Sequence, residues 1–503
     1  MERVAPRQVN YDNILPLAIE SRSNRREFLP VNGQSFSNSN GATIIRIDVN
    51  ADSMLDATHS YLECDITNNT TTANSFLALN GFGPSWIERL RIESGGVVIE
   101  DINEYSRLYA MLSLNQCPEK FIQNNFNNMG MYDTQTSGNL LTTGAVALET
   151  VGSSAGNVAG VGSVNCETEL HYNMSQQNII SGVSTTTTNA QVADAAANRP
   201  TDGGLALHHR IAQNGTKKMC IPLVSGFLNM DKYIPLIMMN AGFTLELHLC
   251  SANRIGITQT EAPDTAQGAK IDSAWTLTNV KYVAHLIDLD RSFYDRLRAV
   301  MESSAGVLQL AGQTYRHYVG SIPNSQGPHT VTIPARVKSV KSIFGTFIDS
   351  TQMGSNANFD TSVFQNGYLS KYRFEIGSVR YPQTDVDADS EENFVELEKA
   401  FGKLGDYQHQ QAYSRKHTLS PQGIRDGTTN HQSVLSAYSI GYDFEAFQRV
   451  ALEAGINTAD RSLPINFICQ RSANTTNATR ADFYVLTDAI YYINLDGTVS
   501  VSV

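Results

Sequence analysis

Three patterns in the sequence have residue types and spacing that could do chemistry. Gly152-Ser153-Ser154-Ala155-Gly156 matches GxSxG, the strained turn that holds a nucleophilic serine between a strand and a helix. The short apolar run 146–151 precedes it, but Asn157-Val158-Ala159-Gly160-Val161-Gly162 is a poor helix, so the match reads as composition in a Gly/Ser-rich stretch. Asp385-Val386-Asp387-Ala388-Asp389 followed by Glu396 puts carboxylates where a calcium-binding loop has them. However, Ser390 stands where that loop turns sharply on glycine, and Tyr381-Pro382 leads in instead of a helix. Asp385, Asp387, Asp389 and Glu396 are therefore a candidate cation site set against a plainer reading. In that reading the segment is an acidic lead-in to a helix, with Asp389 or Ser390 as N-cap and Glu391 and Glu392 favouring the dipole.

The third pattern is a scatter. Of the histidines only His208 and His209 are adjacent, and neighbours on a strand point apart. No HExxH, CxxC or GxxxxGK[ST] occurs. Glu100, Asp101 and Glu104 sit where a helix would begin, which explains them structurally. The sequons at Asn68, Asn69, Asn173, Asn214, Asn474 and Asn477 are expected by chance in so Asn- and Thr-rich a chain. No constellation supports an enzyme, and no cofactor is called for.

Composition narrows the classes further. The 503 residues carry a formal charge of −12 with only 17% charged residues, so polarity rests on Asn, Ser, Thr, Gln and Gly. Twenty-one Tyr and 20 Phe supply apolar payload and exclude wholesale disorder. An acidic chain does not hold nucleic acid by charge neutralisation. No apolar run approaches the roughly 20 residues of a membrane span, and the first residues lack the apolar core of a signal peptide. The six scattered cysteines read as reduced core thiols, made in a reducing compartment.

The elements that would position any site are strands. Residues 1–40 read as a polar, nearly neutral arm. Residues 43–49, 61–66 and 86–93 alternate as strands, the last turning back through Ser94-Gly95-Gly96 into 97–99. A helix with Asp101 as cap follows, carrying Ile102, Tyr105, Leu108, Tyr109 and Leu112 at helical spacing. Residues 115–216 are rich in small polar residues and read as an exposed insertion. Strands resume at 219–228, 243–250 and 277–289, a linker helix spans 291–304, and from 305 the plan restarts. Strands at 307–310, 314–319, 331–333, 337–348 and 372–376 lead to a helix at 390–404, then strands at 434–444, 465–469 and 483–493. VKYVAHLIDLD closes the first half and TDAIYYINLD the second. Two β-sandwiches of equal plan, at 41–290 and 305–503, are the economical reading.

Certain segments carry a resemblance. WIERLRIESGGVVIEDINEYSRLYAML at 86–112, KYIPL at 232–236, LQLAGQTYRHYVGSIP and RVKSVKSIFGTF within 308–347 resemble the double jelly-roll major capsid proteins of the polinton-like virus and virophage group. The resemblance is most specific at 86–112 and 305–348 and fades across 115–216. It implies an all-β fold of two consecutive jelly-roll β-sandwiches with short flanking helices. It also implies homotrimeric, pseudo-hexagonal capsomers that meet neighbouring capsomers and a minor or penton protein. Such capsomers tile an icosahedral virion shell around double-stranded DNA without sequence-specific binding, and an inner membrane is left open. The insertion would be tower or inter-subunit material, and 1–40 an inward or clamping arm.

The hairpin 86–99 and the segment 336–349 would then be body elements. Tyr315, Arg316 and Tyr318 are candidate interface anchors by residue preference, with ordinary cross-strand packing as the plainer account. The alternative function is a non-catalytic glycan-binding β-sandwich, an adhesin or lectin-like protein. Deleting 120–210 is expected to leave both sandwiches folded; loss of the second domain's unfolding transition in that variant would refute the modular reading.

Overall fold

The structure, a computed structural model, describes residues 20–37, 43–71, 75–79, 83–116, 152–154, 157–161, 210–251, 256–260, 270–271, 274–303, 306–349, 364, 366–388, 390–401, 438–446, 452, 454–460, 463–474 and 478–503. Residues 1–19 of the expected arm, most of the 115–216 insertion, His208-His209, Asp389, Asn173, Asn477, Cys117 and Cys166 lie outside the described residues.

Alternation decides which strands form and which way they face. In β2 (Ile44–Val49) Ile45, Ile47 and Val49 are buried, while Ile44, Arg46 and Asp48 face out. The same period runs through β7 (Phe243–Leu249) and most of β4 (Ile87–Ser94). β4 turns into β5 (Val97–Asn103) across Gly95 and Gly96. Both turn residues have positive φ, 56° and 84°, the pair of left-handed conformations that a two-residue hairpin needs and that glycine adopts without strain.

With β1 (Ser21–Phe28), β3 (Met54–Asn68), β6 (Thr216–Ile221) and β8 (Trp275–Leu289), these strands build two antiparallel sheets. Their main paths run β1-β8-β3-β6 and β2-β7-β4-β5. The second half supplies β9 (Val307–Ser321), β10 (Gly327–Ile333), β11 (Val340–Asp349), β12 (Leu369–Ile376), β13 (Val379–Asp387), β14 (Ile440–Asp443), β15 (Ile465–Arg471) and β16 (Ala478–Asn494). Its paths run β9-β16-β11-β14 and β10-β15-β12-β13. Adding eight to each strand number of the first half reproduces the second. Each half is a jelly roll. Helix α1 (Tyr105–Gln116) follows β5, α2 (Arg291–Ser303) joins the halves, and α3 (Glu391–Phe401) follows β13.

Two buried apolar clusters fill the molecule. One is the second sandwich's interior, with Phe347, Phe374, Phe467 and Phe483. The other begins as the first sandwich's interior and runs on through Phe344, Leu397, Phe401 and Tyr484 of the second. β16 explains how. Ala481, Phe483 and Val485 enter the second cluster, whereas Tyr484 and Leu486 on its opposite face join the first. A strand covered on both faces reads as a near-continuous apolar run, as DFYVLTDAIYYIN does.

Several elements differ from the sequence expectation. Residues 21–28 belong to the first sandwich as β1, so that part of the expected arm is sheet. SRSNRREF shows no alternation because it is an edge strand, mostly solvated, where charge discourages pairing with other chains. α1 starts at Tyr105, not after Asp101, because pairing with β4 carries β5 through Asn103. Asp101 remains in β5, ion-paired to Arg89. The runs at 307–310 and 314–319 are one strand, β9, and 219–228 is a strand only to Ile221. α2 begins at Arg291, its first turn held by Asp290, which accepts from the Ser292 amide at 3.3 Å.

The free edge of β2 is closed by the chain before it. The Val31 amide donates to the Arg46 carbonyl at 2.9 Å. The Asn32 side chain donates to the Ile44 carbonyl at 2.6 Å and accepts from the Arg46 amide at 3.1 Å.

Candidate functional site

The densest polar chemistry in the described residues lies where the two sandwiches meet. Glu104 precedes α1 in a left-handed conformation, φ 51°, and its carbonyl accepts from the Arg107 and Leu108 amides to start the helix. That turn aims both charged side chains at β16. Arg107 Nη1 lies 3.2 Å from Glu104 Oε2 and 3.0 Å from Asp482 Oδ2. Arg480 Nη2 lies 3.0 Å from Glu104 Oε1 and 2.8 Å from Asp482 Oδ1. His317 Nε2 of β9 lies 2.7 Å from Asp482 Oδ1, and the Tyr484 hydroxyl donates to the Glu104 carbonyl at 2.9 Å.

Arg107 and Asp482 have no solvent-exposed side-chain surface. Burial by itself would raise the Asp482 carboxyl, but Arg107, His317 and Arg480 outweigh it and hold it well below the usual carboxylate range. Burial likewise opposes the Arg480 charge, and Asp482 and Glu104 raise that group above its ordinary value. Two acids balance two guanidiniums, with each sandwich supplying one of each. Removing one partner of such a buried set leaves an uncompensated charge, at a cost of about 3–5 kcal/mol.

A second polar knot lies at the other side of the same contact. Glu100 of β5 is buried. Its carboxylate accepts from the Ser225 hydroxyl, the Gly226 amide at 3.0 Å, the Phe227 amide at 3.4 Å and Thr314 Oγ1 of β9 at 2.9 Å. Burial pushes this carboxyl up, against the pull of those donors. The backbones also touch: a Cβ on Gly226 would sit 1.5 Å from the Gln313 carbonyl oxygen. Only glycine lets the loop after β6 lie on β9.

Apolar contacts complete the joint. Phe344 packs on Phe401 at 4.7 Å between ring centroids, on Tyr484 at 5.9 Å and on Tyr315 at 6.2 Å. Gln116 at the end of α1 donates to the Phe401 carbonyl of α3 at 3.4 Å. Ser225, Glu100 and Thr314 include a hydroxyl beside a carboxylate, but all three are buried. The geometry fixes an angle between two rigid bodies.

Tyr315, in β9 opposite Leu486, packs within the chain at the joint. Tyr318 lies against the second interior, and Arg316 faces Val485 across the strand pair. Asp385 and Asp387 lie in β13, not in a loop. Asp385 accepts from Arg373 at 2.8 Å, and Glu396 pairs with Lys399. Ser390 caps α3 by accepting from the Glu392 amide at 3.1 Å. Among the described residues no group of three or more His, Cys, Asp and Glu is arranged to hold a metal ion. Ser154 ends a short strand whose partner is Asn157–Val161, so a strand stands where a nucleophile elbow needs its helix. Cys64, Cys250 and Cys469 are buried, and burial pushes the Cys469 thiol up to about 12.

No family model matches the chain, and no curated protein matches its sequence. Solved structures do match in shape. The Faustovirus major capsid protein aligns with a TM-score of 0.54 at 10% identity, covering 96% of this chain and 92% of that one. The Sputnik virophage structure gives 0.52 at 9% identity, over 100% and 93%. The PBCV-1 virus capsid gives 0.52 at 9% identity, over 98% and 99%. The fold is a double jelly roll. The alignments cover nearly the whole of both chains, so the similarity spans both rolls.

Within this double jelly roll, sequence reasoning missed Arg107 and Asp482 and placed Glu100 at a helix start, whereas it lies in β5. The available signal was a charge inside an apolar run: Asp482 in ADFYVL and Arg107 in YSRLYAML. In the variant Asp482→Asn, stability at pH 7 should drop by about 3–5 kcal/mol in denaturant unfolding. The Asp482 carboxyl is depressed in the folded chain, so its contribution is full above the unfolded value of about 4 and fades as pH falls below it. The wild type should therefore lose stability more steeply than the variant between about pH 4 and pH 2. In a second variant, Gly226→Val, the loop must leave β9, and the unfolding transitions of the two sandwiches should lie further apart in calorimetry than in the wild type.

Proposed function

We propose that this chain is a major capsid protein. In this reading it assembles with itself into pseudo-hexameric homotrimers that tile an icosahedral shell around double-stranded DNA. The observation that carries the reading is the internal repeat locked at one angle. Two jelly rolls of identical strand order are held edge to face by a buried, charge-balanced joint. A rigid pair of like wedges is what a ring-forming tile requires, and the solved structures that share the fold are named as capsids. The role is geometric, not catalytic: the buried polar residues serve the joint. The acidic balance, −12 over the chain, fits a shell that encloses DNA without gripping it, leaving filling to other proteins. Minor proteins at shell vertices would be further partners, and the virion is where the protein would act.

Negative-stain microscopy of the purified chain tests this. Three-fold particles with a pseudo-hexagonal outline are expected. A monodisperse monomer that binds a glycan would overturn the reading in favour of a lectin-like β-sandwich.

A further inference from the structure

Among the described residues two histidines far apart in the sequence come together. His59 of β3 and His285 of β8 have ring centroids 6.1 Å apart, with their planes at 52°. A zinc ion sits about 2 Å from an imidazole nitrogen, so two rings that share one stand about 5–6.5 Å apart, centre to centre, depending on the angle between them. This pair falls in that range.

The chain departs from regular sheet to place them so. Along the β3–β8 pair Tyr61 faces Val283 and Asp56 faces His285, so five steps on one strand match two on the other. Residues 57–60 therefore loop out of the ladder. Ser60 closes the excursion: its hydroxyl donates to the Asp56 carbonyl at 2.6 Å and accepts from the His285 amide at 3.0 Å. Asp56 Oδ1 accepts from the Thr58 hydroxyl at 2.7 Å and from the His59 amide at 3.3 Å. The equivalent pair in the second sandwich, β11 with β16, slips by a single residue near the same point. A jelly roll does not need the longer excursion, and a bulge of this kind re-aims a side chain.

The side chain it re-aims is His59, which is 74% exposed. Its Nδ1 lies 2.7 Å from Oδ2 of the buried Asp56 carboxylate. A carboxylate on one ring nitrogen fixes the tautomer whose other nitrogen keeps its lone pair, which is how metal-binding histidines are held. Among the described residues neither His59 Nε2 nor the ring of the half-buried His285 has a hydrogen-bond partner. Arg25 is cross-strand from His285, but it is balanced by Glu27 at 3.2 Å and Glu63 at 3.7 Å.

We propose that His59 and His285 bind a divalent transition-metal ion of the zinc class, with Asp56 orienting His59. Imidazole suits zinc, copper and nickel, whereas magnesium and calcium prefer oxygen. Two protein ligands leave the other positions to water, in keeping with the lack of any three-ligand group among the described residues. The ion ties the excursion of β3 to β8, and it does so whether or not the chain builds a shell.

The test is calorimetric titration of the full chain with Zn2+ in a non-chelating buffer at neutral pH, where histidine is mostly uncharged. His59→Gln and His285→Gln should each weaken binding at least tenfold, while His329→Gln, a histidine of β10, leaves it unchanged. Asp56→Asn should weaken it by about 10–100-fold, the usual effect of losing such a partner. With Cu2+ instead, electron paramagnetic resonance should count two imidazole nitrogens in the wild type and one in each variant of the pair. Circular dichroism and the metal-free melting temperature check folding; since His59 is exposed, His59→Gln decides the matter should His285→Gln fail to fold. A wild type that takes up no zinc, or binds it no better than His59→Gln, would overturn the site. Unchanged affinity in Asp56→Asn would overturn the part given to the carboxylate.

Discussion

A carboxylate with no access to water has to be matched by positive charge or by hydrogen-bond donors, or its burial destabilises the fold. Asp482 is in that position, and the rest of the architecture follows from how it is matched. One of its two guanidiniums comes from its own strand and the other from a helix of the other sandwich. The charge is therefore satisfied only when both sandwiches are folded and correctly placed. Hydrophobic burial alone would tolerate sliding, since apolar contact is not directional. Hydrogen-bonded ions are directional, and here they convert a greasy contact into a fixed angle.

The division of labour along β16 makes that arrangement affordable. Its odd-numbered residues near the centre, Phe483 and Val485, complete the second sandwich, so the strand is anchored there independently of the first sandwich. The even-numbered Asp482 and Tyr484 then present polar atoms from a rigid base. Glu100 does the same from β5, a strand pinned by its tight hairpin. Both ends of the joint thus rest on sheet, and the helix α1 is the wedge between them.

How much of this could be read from the residues depends on periodicity. The period-two strands β2, β4 and β7 were legible because one face is buried and one is wet. The tight turn at Gly95-Gly96 and the restart after residue 305 were legible for the same kind of local reason. β1 was not, because an exposed edge strand lacks an apolar face. The start of α1 was misplaced because Asp101 is a sound cap in isolation, and only the pairing of β5 with β4 overrides it. The joint was hidden for a deeper reason. Asp482, Arg107 and Glu100 are separated by up to several hundred residues, and a charge in an apolar run does not announce its partner. Tyr315 stood out by residue type, and its partner Phe344 emerged only from the pairing of β9 and β11 through β16.

The small lock on β2 has a bearing on how such a molecule behaves when crowded. Open strand edges recruit other chains by backbone hydrogen bonding, which is blind to side-chain identity and tolerant of register. Asn32 fills that ladder with its own amide. Two copies that collide at this edge find no template and separate. Encounters that last are then those between side-chain surfaces, where shape and charge can discriminate. A protein accumulating to high local concentration is thereby steered away from fibrous precipitate and toward ordered association.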